Sequence, residues 1–298
     1  MMEAKETNIT PQAELPILEV EHLRVQFTSD SGTTTAVVDE SFSIRPGETL
    51  ALVGESGSGK SVTSLSVMRL VEHGGGKIVN GSIKLRCRDG RVVDLRHANK
   101  SELQHLRGSE VAMIFQEPMT SLNPVFTVGA QIAESLILHR GMDEKEALKE
   151  AVHLLELVRI PDAERISLRF PHQLSGGMLQ RVMIGLAICM QPSLIIADEP
   201  TTAIDSISQY AIMQEFLRIK QRGEVSMIFI SHDLGVLSLI ADRLIVMHDG
   251  KAVESGTAQE IFDNATDTYT RHLIKQHRAV MHRFLDALHA PVPGRISA

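Results

Sequence analysis

A single glycine-rich loop constrains the fold and the chemistry of this chain more than any other feature. It follows a short apolar stretch, residues 49–53, that predicts a buried strand, and it precedes residues 62–71, which we interpret as a helix. The loop reads Gly54-Glu55-Ser56-Gly57-Ser58-Gly59-Lys60-Ser61. In this pattern the glycines let backbone N–H groups surround phosphate oxygens, the lysine adds a positive charge and the serine offers Mg²⁺ a hydroxyl ligand. The strand, loop and helix together predict a triphosphate-binding α/β unit.

An acidic pair supplies the second half of the predicted site. Residues 194–197 form another apolar run that predicts a buried strand, and Asp198 and Glu199 follow it. A carboxylate at the end of such a strand lies where Mg²⁺ needs an oxygen ligand, so Asp198 is a candidate metal ligand beside Ser61. Successive strand residues face opposite sides, so we expect Glu199 to point away from the metal and toward the attacking water. Glu199 is therefore the candidate catalytic base.

The periodicity of the remaining chain indicates an α/β fold with a mostly parallel core sheet. Strand-like alternation covers residues 17–44, and residues 194–247 alternate apolar strands with helices, as in a parallel sheet covered on both faces. Residues 126–175 show helical spacing, with a capping-box-like start at Asp143 and Glu146, and we interpret them as a helical insertion.

Composition and periodicity predict three segments in the 298 residues. Residues 1–16 are polar and aperiodic, so we expect a disordered lead-in. Residues 17–266 carry the predicted α/β domain with its insertion. Residues 267–298 contain a basic, histidine-rich helix and a tail rich in proline, and we expect them to form a helical extension.

Charge and cysteine content exclude several classes of protein. The formal net charge of −7 argues against a general nucleic-acid binder, and two cysteines cannot build a disulfide framework. The longest apolar run, residues 182–190, is too short to cross a bilayer, which needs about 20 residues. No secretory signal is recognised at the N-terminus, so we expect a protein that stays in the cytoplasm.

A third motif gives the chain a family resemblance. Residues 17–269 resemble the ATP-binding subunits of ABC transporters. The motif specific to that family is similar to Leu174-Ser175-Gly176-Gly177-Met178 in this chain. A serine hydroxyl and two glycine amides at a helix N-terminus make a second anion site. The resemblance implies a phosphate-loop NTPase fold of ABC type in which Ser175, Gly176, Gly177 and Met178 complete the ATP pocket of a second subunit.

Four further positions take their roles from this resemblance alone. Gln116 resembles the glutamine that senses Mg²⁺ and the water and faces the permease, and Asp205 lies where the family contacts its partner across the dimer. His232 is similar to the histidine that holds the γ-phosphate. Phe27 resembles the aromatic residue that stacks on adenine, although burial in the core explains it nearly as well.

A narrower resemblance to the peptide and nickel import branch rests on residues 114–124 and 171–178. It implies ATP and Mg²⁺ as ligands, a second ATPase subunit that is identical or a sibling, two membrane permease subunits and, indirectly, an extracytoplasmic solute-binding protein. The expected location is the cytoplasmic face of the inner membrane. The solute would be a di- or oligopeptide, glutathione or a nickel chelate.

The chain departs from the family at several positions. Met178 replaces a common glutamine, although this branch often has methionine, and Ile204 replaces a leucine. Residues 267–271 are a weakened form of the branch's His-Pro-Tyr-Thr run, and no cysteine follows, so an iron–sulfur cluster lacks ligands there.

Three other readings compete with the importer subunit. A GTPase is disfavoured because Asn99-Lys100-Ser101-Glu102 lacks the required aspartate, and Ser101 with Gln104 is better explained as a capping box. A small-molecule kinase would not need residues 174–178 or His232. A non-transport ABC ATPase acting on nucleic acid remains the alternative function, although such proteins usually carry paired ATPase units, a coiled coil or zinc modules.

Overall fold

The structure, a computed structural model, describes residues 15–276 without residues 31, 203 and 224, and without the side chains of residues 206 and 207. Its strands are β1 (Leu18–Ser29), β2 (Gly32–Ile44), β3 (Thr49–Val53), β4 (Gly76–Arg86), β5 (Val92–Asp94), β6 (Val111–Ile114), β7 (Leu194–Asp198), β8 (Ser226–Ile230), β9 (Arg243–His248) and β10 (Lys251–Thr257). They form a four-stranded sheet in the order β2-β1-β4-β5 and a six-stranded sheet in the order β10-β9-β3-β8-β7-β6.

The six-stranded sheet is parallel except at one edge. Strands β6, β7, β8, β3 and β9 pair in parallel, with Leu50 opposite Ile228 and Ile195 opposite Met227. Only β10 runs antiparallel, to β9. Because the carboxyl ends of parallel strands meet at one edge, the loops after β3, β6, β7 and β8 are brought together there.

The helices cover this sheet and build a separate helical region. They are α1 (Lys60–Val67), α2 (Lys100–Ser109), α3 (Pro118–Ser121), α4 (Val128–Arg140), α5 (Glu144–Leu157), α6 (Ala163–Ser167), α7 (Gly176–Ile188), α8 (Ser206–Gln221), α9 (Leu234–Ile240) and α10 (Ala258–Asn264). We call residues 118–188, which contain α3 to α7, the helical region. Residues 268–276, the last that the structure describes, are also helical.

Two apolar cores hold these layers together. One joins the helical region to one face of the parallel sheet, with Ile132, Leu155 and Ile184 packed with Phe229. The other lies between the antiparallel sheet and the opposite face of the parallel sheet, around Leu18 and Leu50. The parallel strands are therefore apolar on both faces, as their uninterrupted apolar sequences predict.

Several expectations from the sequence match the observed elements closely. The alternation of strands and helices predicted over residues 194–247 is observed as β7, α8, β8, α9 and β9 in turn. The α/β fold class, with antiparallel strands at the N-terminus and a mostly parallel core sheet, is confirmed. Residues 1–14 of the expected lead-in and residues 277–298 of the expected C-terminal extension lie outside the described residues.

Other local expectations are wrong. The helix predicted at 62–71 ends at Val67, because Arg69 adopts a left-handed backbone (φ 52°) and a 3-10 turn, Leu70–Gly74, follows. The cap of α2 is Asn99, which accepts a hydrogen bond from the Glu102 amide, rather than Ser101. Asp143 does cap α5, but through the amide of Lys145 rather than through a box with Glu146. Strands β4, β5 and β10 were not expected.

None of the helices in the part of the chain that the structure describes combines the length and the apolar character needed to span a bilayer.

Candidate functional site

One cavity at the carboxyl edge of the parallel sheet collects most of the residues singled out from the sequence. Its volume is about 440 Å³. Segments that follow β3, β6, β7 and β8 supply most of its wall, because these strands are neighbours and end at the same edge. The lining residues are Ala36, Gly54, Glu55, Ser56, Gly57, Gly59, Lys60, Ser61, Val62, Gln116, Glu199, Thr202, His232 and Leu273.

The glycine-rich loop can take its shape only with glycine at two of its positions. A β-carbon at Gly54 would overlap the carbonyl oxygen of Met247 in β9, and one at Gly59 would lie 2.8 Å from the carbonyl oxygen of Ala36. Gly59 also has a left-handed backbone (φ 103°) and caps the N-terminus of α1. The backbone of β9 and β2 therefore holds the loop from behind, and Ser58, which does not line the cavity, is buried beneath it.

Lys60 lies buried inside the curve of this loop. Its Nζ donates hydrogen bonds of 2.8 Å to the carbonyl oxygens of Gly54 and Glu55. Burial lowers the pKa of the Lys60 ammonium, while the nearby carboxylates of Glu199 and Asp198 act in the opposite direction. A desolvated cation at the start of a helix, in a glycine-rich loop, is suited to a polyanion such as a triphosphate.

Ser61 and Asp198 place two oxygen atoms side by side at the floor of the site. The hydroxyl of Ser61 donates to Oδ1 of Asp198 at 3.1 Å. Burial raises the pKa of Asp198, and the hydrogen bond from Ser61 counteracts part of that effect. Octahedral Mg²⁺ with ligands at about 2.0–2.1 Å separates adjacent ligand oxygens by about 2.9 Å, so this pair fits two neighbouring ligand positions.

Glu199 faces the cavity for a reason that differs from the predicted one. Strand β7 ends at Asp198, and Glu199 has a left-handed backbone (φ 51°). The expectation that strand alternation separates the two carboxylates is therefore wrong, since the backbone turn after the strand separates them. Oε2 of Glu199 accepts hydrogen bonds from Oγ1 of Thr202 at 2.7 Å and lies 2.8 Å from Nδ1 of His232.

Gln116 and His232 occupy the accessible side of the cavity. Gln116 is exposed two residues beyond the end of β6, and the side chain of His232 is 62% exposed. Both can therefore contact a ligand or another protein. Thr202 was not singled out from the sequence, although it lies only three residues beyond Glu199, where a hydroxyl can reach back to the carboxylate.

The second predicted anion site lies elsewhere, at the N-terminus of α7. Ser175 caps this helix by accepting a hydrogen bond from the amide of Met178 at 3.4 Å. Ser175 and Gly176 are exposed, Gly177 and Met178 are half-buried, and none of them lines the cavity. Gly177 lies against Ser208 of α8, because a β-carbon there would come within 2.8 Å of the Ser208 hydroxyl.

Asp205 and Phe27 are also outside the cavity lining. Asp205 is exposed, and its Oδ1 accepts a hydrogen bond from the Ser208 amide at 3.0 Å, so it caps the start of α8. Phe27 is half-buried at the edge of the core between the sheets, with its ring against Gly76. Their assigned roles, an intersubunit contact and adenine stacking, stay predictions.

Comparison with known proteins identifies the class of this site. A family model described as "ABC transporter" matches residues 37–202. The chain is 52% identical over 258 residues to the "Glutathione import ATP-binding protein GsiA" of Pectobacterium atrosepticum and 51% identical to that of Escherichia coli. The match covers 87% of this chain but 41% of each relative, so the chain spans less than half the length of these curated relatives.

Solved structures agree with the sequence comparison. The dimeric post-hydrolysis structure of the ATP-binding cassette MJ0796, bound to ADP and Pi, superposes with a TM-score of 0.71 at 26% identity and covers 81% of this chain and 98% of that one. A second dimeric structure of MJ0796, described as a bacterial ABC transporter cassette, gives a TM-score of 0.70. By its matched model, its motifs and its fold, this chain belongs to the ABC transporter family.

Proposed function

We propose that this chain is an ATP-hydrolysing subunit of an importer for glutathione or a related peptide. The observation that carries this proposal is the convergence of the phosphate loop, Glu199, Gln116 and His232 on one cavity, with Asp198 hydrogen-bonded to Ser61 of its lining. The names of the relatives, which are glutathione import ATP-binding proteins, support the direction of transport and the class of solute. The nucleic-acid alternative gains no support from these names.

ATP is the proposed substrate, with its phosphates in the glycine-rich loop. The amides of the loop and the ammonium of Lys60 would hold the β- and γ-phosphates. Ser61, Asp198 and Gln116 would hold Mg²⁺, which neutralises charge that develops on the phosphates. The 3.1 Å pair of Ser61 and Asp198 oxygens supports this assignment, because both are ligands of the type that Mg²⁺ prefers.

Glu199 is the proposed general base for hydrolysis. Its carboxylate would take a proton from the water that attacks the γ-phosphorus, while the bond to ADP breaks. Thr202 and His232 both contact Oε2 of this carboxylate and would fix its direction. The exposed ring of His232 could then also meet the γ-phosphate.

A second ATPase subunit is proposed to complete the site. Ser175 and Gly176 present a hydroxyl and an uncapped amide to solvent at a helix N-terminus, outside the cavity of their own chain. Such a terminus attracts anions, so it could cap the triphosphate held by another subunit. The dimeric state of the MJ0796 cassette bound to ADP and Pi supports this arrangement.

A groove beside Gln116 is the proposed docking surface for a permease. It has a volume of about 360 Å³ and lies between the ends of α1 and β6 on one side and α4 and α7 on the other. Four methionines, Met68, Met113, Met183 and Met190, line it together with Phe115. Methionine adapts to irregular apolar partners, so the groove fits a short apolar helix from a cytoplasmic permease loop. That location would place the chain at the inner face of the membrane.

The proposal is tested by co-expressing the chain with two permease subunits and a solute-binding protein of the peptide import branch that co-purify with it. In vesicles, glutathione-loaded binding protein should stimulate ATP turnover, and Lys60→Ala should abolish it. Failure of every peptide solute to stimulate turnover, with ATP still hydrolysed, would remove the solute assignment but keep the ATPase.

Filling the groove should separate docking from hydrolysis. Ser135 is half-buried on α4 and lines the groove, whereas Leu138 on the same helix is 73% exposed and does not. We expect Ser135→Trp to lose co-purification with the permeases and to keep the ATP turnover of the isolated chain, with Leu138→Trp as the matched control. Normal co-purification of Ser135→Trp would contradict docking in the groove.

A further inference from the structure

The segment that follows the α/β domain reaches the phosphate loop through one tyrosine. Tyr269 lies in the first turn of the 268–276 helix, and its hydroxyl oxygen accepts a 2.9 Å hydrogen bond from the backbone N–H of Glu55. Leu273, one turn further on, lines the nucleotide cavity. Residues outside the loop motif therefore contact the loop directly.

Tyr269 and Lys60 hold the same peptide group from opposite sides. The carbonyl oxygen of Gly54 accepts a 2.8 Å hydrogen bond from Nζ of Lys60, and the N–H of that peptide, which belongs to Glu55, donates to Tyr269. A trans peptide is planar, so its C=O and N–H turn together. A rotation that weakens the contact to Tyr269 would therefore also move the carbonyl that holds the Lys60 ammonium.

The tyrosine is itself held in place by two carboxylates. Oδ1 of Asp267 accepts hydrogen bonds from the amides of Tyr269 at 2.8 Å and Thr270 at 3.1 Å. Glu254 in β10 accepts hydrogen bonds from the amide of Thr266 at 2.7 Å and from its hydroxyl at 2.9 Å. The helix start is thereby tied to the edge strand of the parallel sheet.

An aromatic contact fixes the plane of the ring. Tyr269 stacks on His248, at the end of β9, with 3.9 Å between ring centroids and 30° between planes. Burial raises the pKa of the Tyr269 phenol, so the group stays neutral at physiological pH and presents its hydroxyl oxygen to the Glu55 amide. The preceding residue of β9, Met247, is the one whose carbonyl lies against Gly54.

We propose that Tyr269 is a positioning residue for ATP binding, acting through the Gly54–Glu55 peptide to hold the ammonium of Lys60. This inference rests on the proposed function, since it assumes that the loop binds the phosphates of ATP. It gives the segment after residue 266 a defined role: the anchored helix sets how firmly the loop grips its nucleotide.

The test compares Tyr269→Phe with a matched control in the same chain. The phenylalanine keeps the stack on His248 and removes only the hydroxyl. The sequence has two tyrosines, and Tyr210→Phe is the control, because it removes the other phenolic hydroxyl, which belongs to α8 rather than to the helix that contacts Glu55. We expect Tyr269→Phe to weaken ATP binding about three- to tenfold, the range of one hydrogen bond, and Tyr210→Phe to leave it unchanged.

A double-mutant cycle distinguishes positioning of Lys60 from general loosening of the loop. If Tyr269 acts through Lys60, Tyr269→Phe should have little further effect on ATP affinity in the Lys60→Ala background, measured by titration into the millimolar range. An equal loss in both backgrounds would show that the hydroxyl supports the fold alone and would overturn the inference. Wild-type affinity of Tyr269→Phe would overturn it as well.

Tyrosine fluorescence gives a second measurement, in which the hydroxyl of Tyr269 is kept. The chain has no tryptophan, so Tyr210→Phe leaves Tyr269 as the only tyrosine. ATP should then change its emission, and unchanged emission at saturating ATP would contradict the contact. If the wild-type chain binds no ATP at all, the proposed function fails instead, which separates the two outcomes.

Discussion

Buried charged side chains occur in the described residues outside 118–188, which we call the sheet region, whereas the buried polar side chains of the helical region are uncharged. Glu40 in β2, Lys60 at the start of α1 and Asp198 in β7 are among the buried charged side chains of the sheet region. In the helical region, the buried polar side chains among those described are Ser167 and Gln180, which carry no charge. Burial shifts the pKa of each of the three charged groups toward its neutral form.

This difference shows how the two regions can contribute to one reaction. The sheet region holds its reactive groups in a desolvated cavity, where they interact strongly with a charged ligand. The helical region offers neutral donors, the hydroxyl of Ser175 and the amides after it, at an exposed helix end. The groups in the cavity would perform hydrolysis, and Ser175 with the amides after it would contact a triphosphate bound to another subunit.

The largest expected effect comes from removing the base in the sheet region. Glu199→Gln keeps the size of the side chain and an oxygen that can accept hydrogen bonds, but it cannot take a proton. We expect ATP turnover to fall about 10²- to 10⁴-fold while ATP binding is kept, because the phosphate loop is unchanged. Because the proposed second subunit would cap a triphosphate that this variant does not hydrolyse, the variant should also accumulate as a dimer with ATP bound.

Steady-state turnover, nucleotide titration and size-exclusion chromatography with ATP check this prediction. Glu144→Gln, an exposed site at the start of α5, is the matched control. Turnover near the wild-type rate in Glu199→Gln would show that another residue is the base. It would also contradict the assignment of the hydrolytic chemistry to this carboxylate of the sheet region.

Sequence reasoning located the candidate site residues of the sheet region because they lie in short continuous motifs. The loop from Gly54 to Ser61 and the pair Asp198 and Glu199 each follow an apolar strand, and parallel strands bring such loops together. The left-handed backbone of Glu199 has no such signal, since it depends on the tertiary packing around the end of β7.

Contacts between distant segments could not be predicted from the sequence either, because they also depend on tertiary packing. Tyr269 was noticed only as part of a weakened motif, and the bond from the Glu55 amide spans 214 residues along the chain. Strand β4 carries the polar pair Asn80 and Gly81 at a bulge against β1, which hides its alternation. These features follow from pairing partners rather than from local pattern.

The next largest effect should come from the helical region. Ser175→Asp keeps an acceptor that caps α7 but faces the proposed triphosphate with a like charge. We expect turnover to fall about 10- to 100-fold with unchanged ATP binding by the single chain. Ser175→Asn, which also caps without adding charge, is the matched control and should lose less.

A mixture of two impaired variants tests whether the loop of one subunit and Ser175 of another form one site. In a heterodimer of Lys60→Ala and Ser175→Asp, one site combines an intact loop with an intact Ser175. A 1:1 mixture of the two variants should therefore recover on the order of a quarter of wild-type turnover if the dimer is symmetric. No recovery at any ratio would contradict a site shared between two copies of this chain.

The smallest effect concerns a buried charge that does not line the nucleotide cavity. Glu40 is 1% exposed, its Oε2 accepts a 3.1 Å hydrogen bond from the Ala252 amide, and its buried Oε1 has no hydrogen-bond partner among the described residues. Burial raises the pKa of Glu40 to about 7. The folded state therefore binds this proton more tightly than the unfolded chain does, and the free energy of unfolding should fall as pH rises between about 4.5 and about 7.

Glu40→Gln removes this titration and should flatten the pH profile in that window. The difference in unfolding free energy between Glu40→Gln and the wild type should shift in favour of the variant by at most about 1.4 kcal/mol per pH unit, and then stay constant above pH 7. Denaturant unfolding followed by far-ultraviolet circular dichroism from pH 5 to 8 measures it, with Glu144→Gln as control. Because Asp198 titrates in both proteins, its contribution cancels, so parallel curves would mean that the Glu40 carboxyl is solvated rather than held buried.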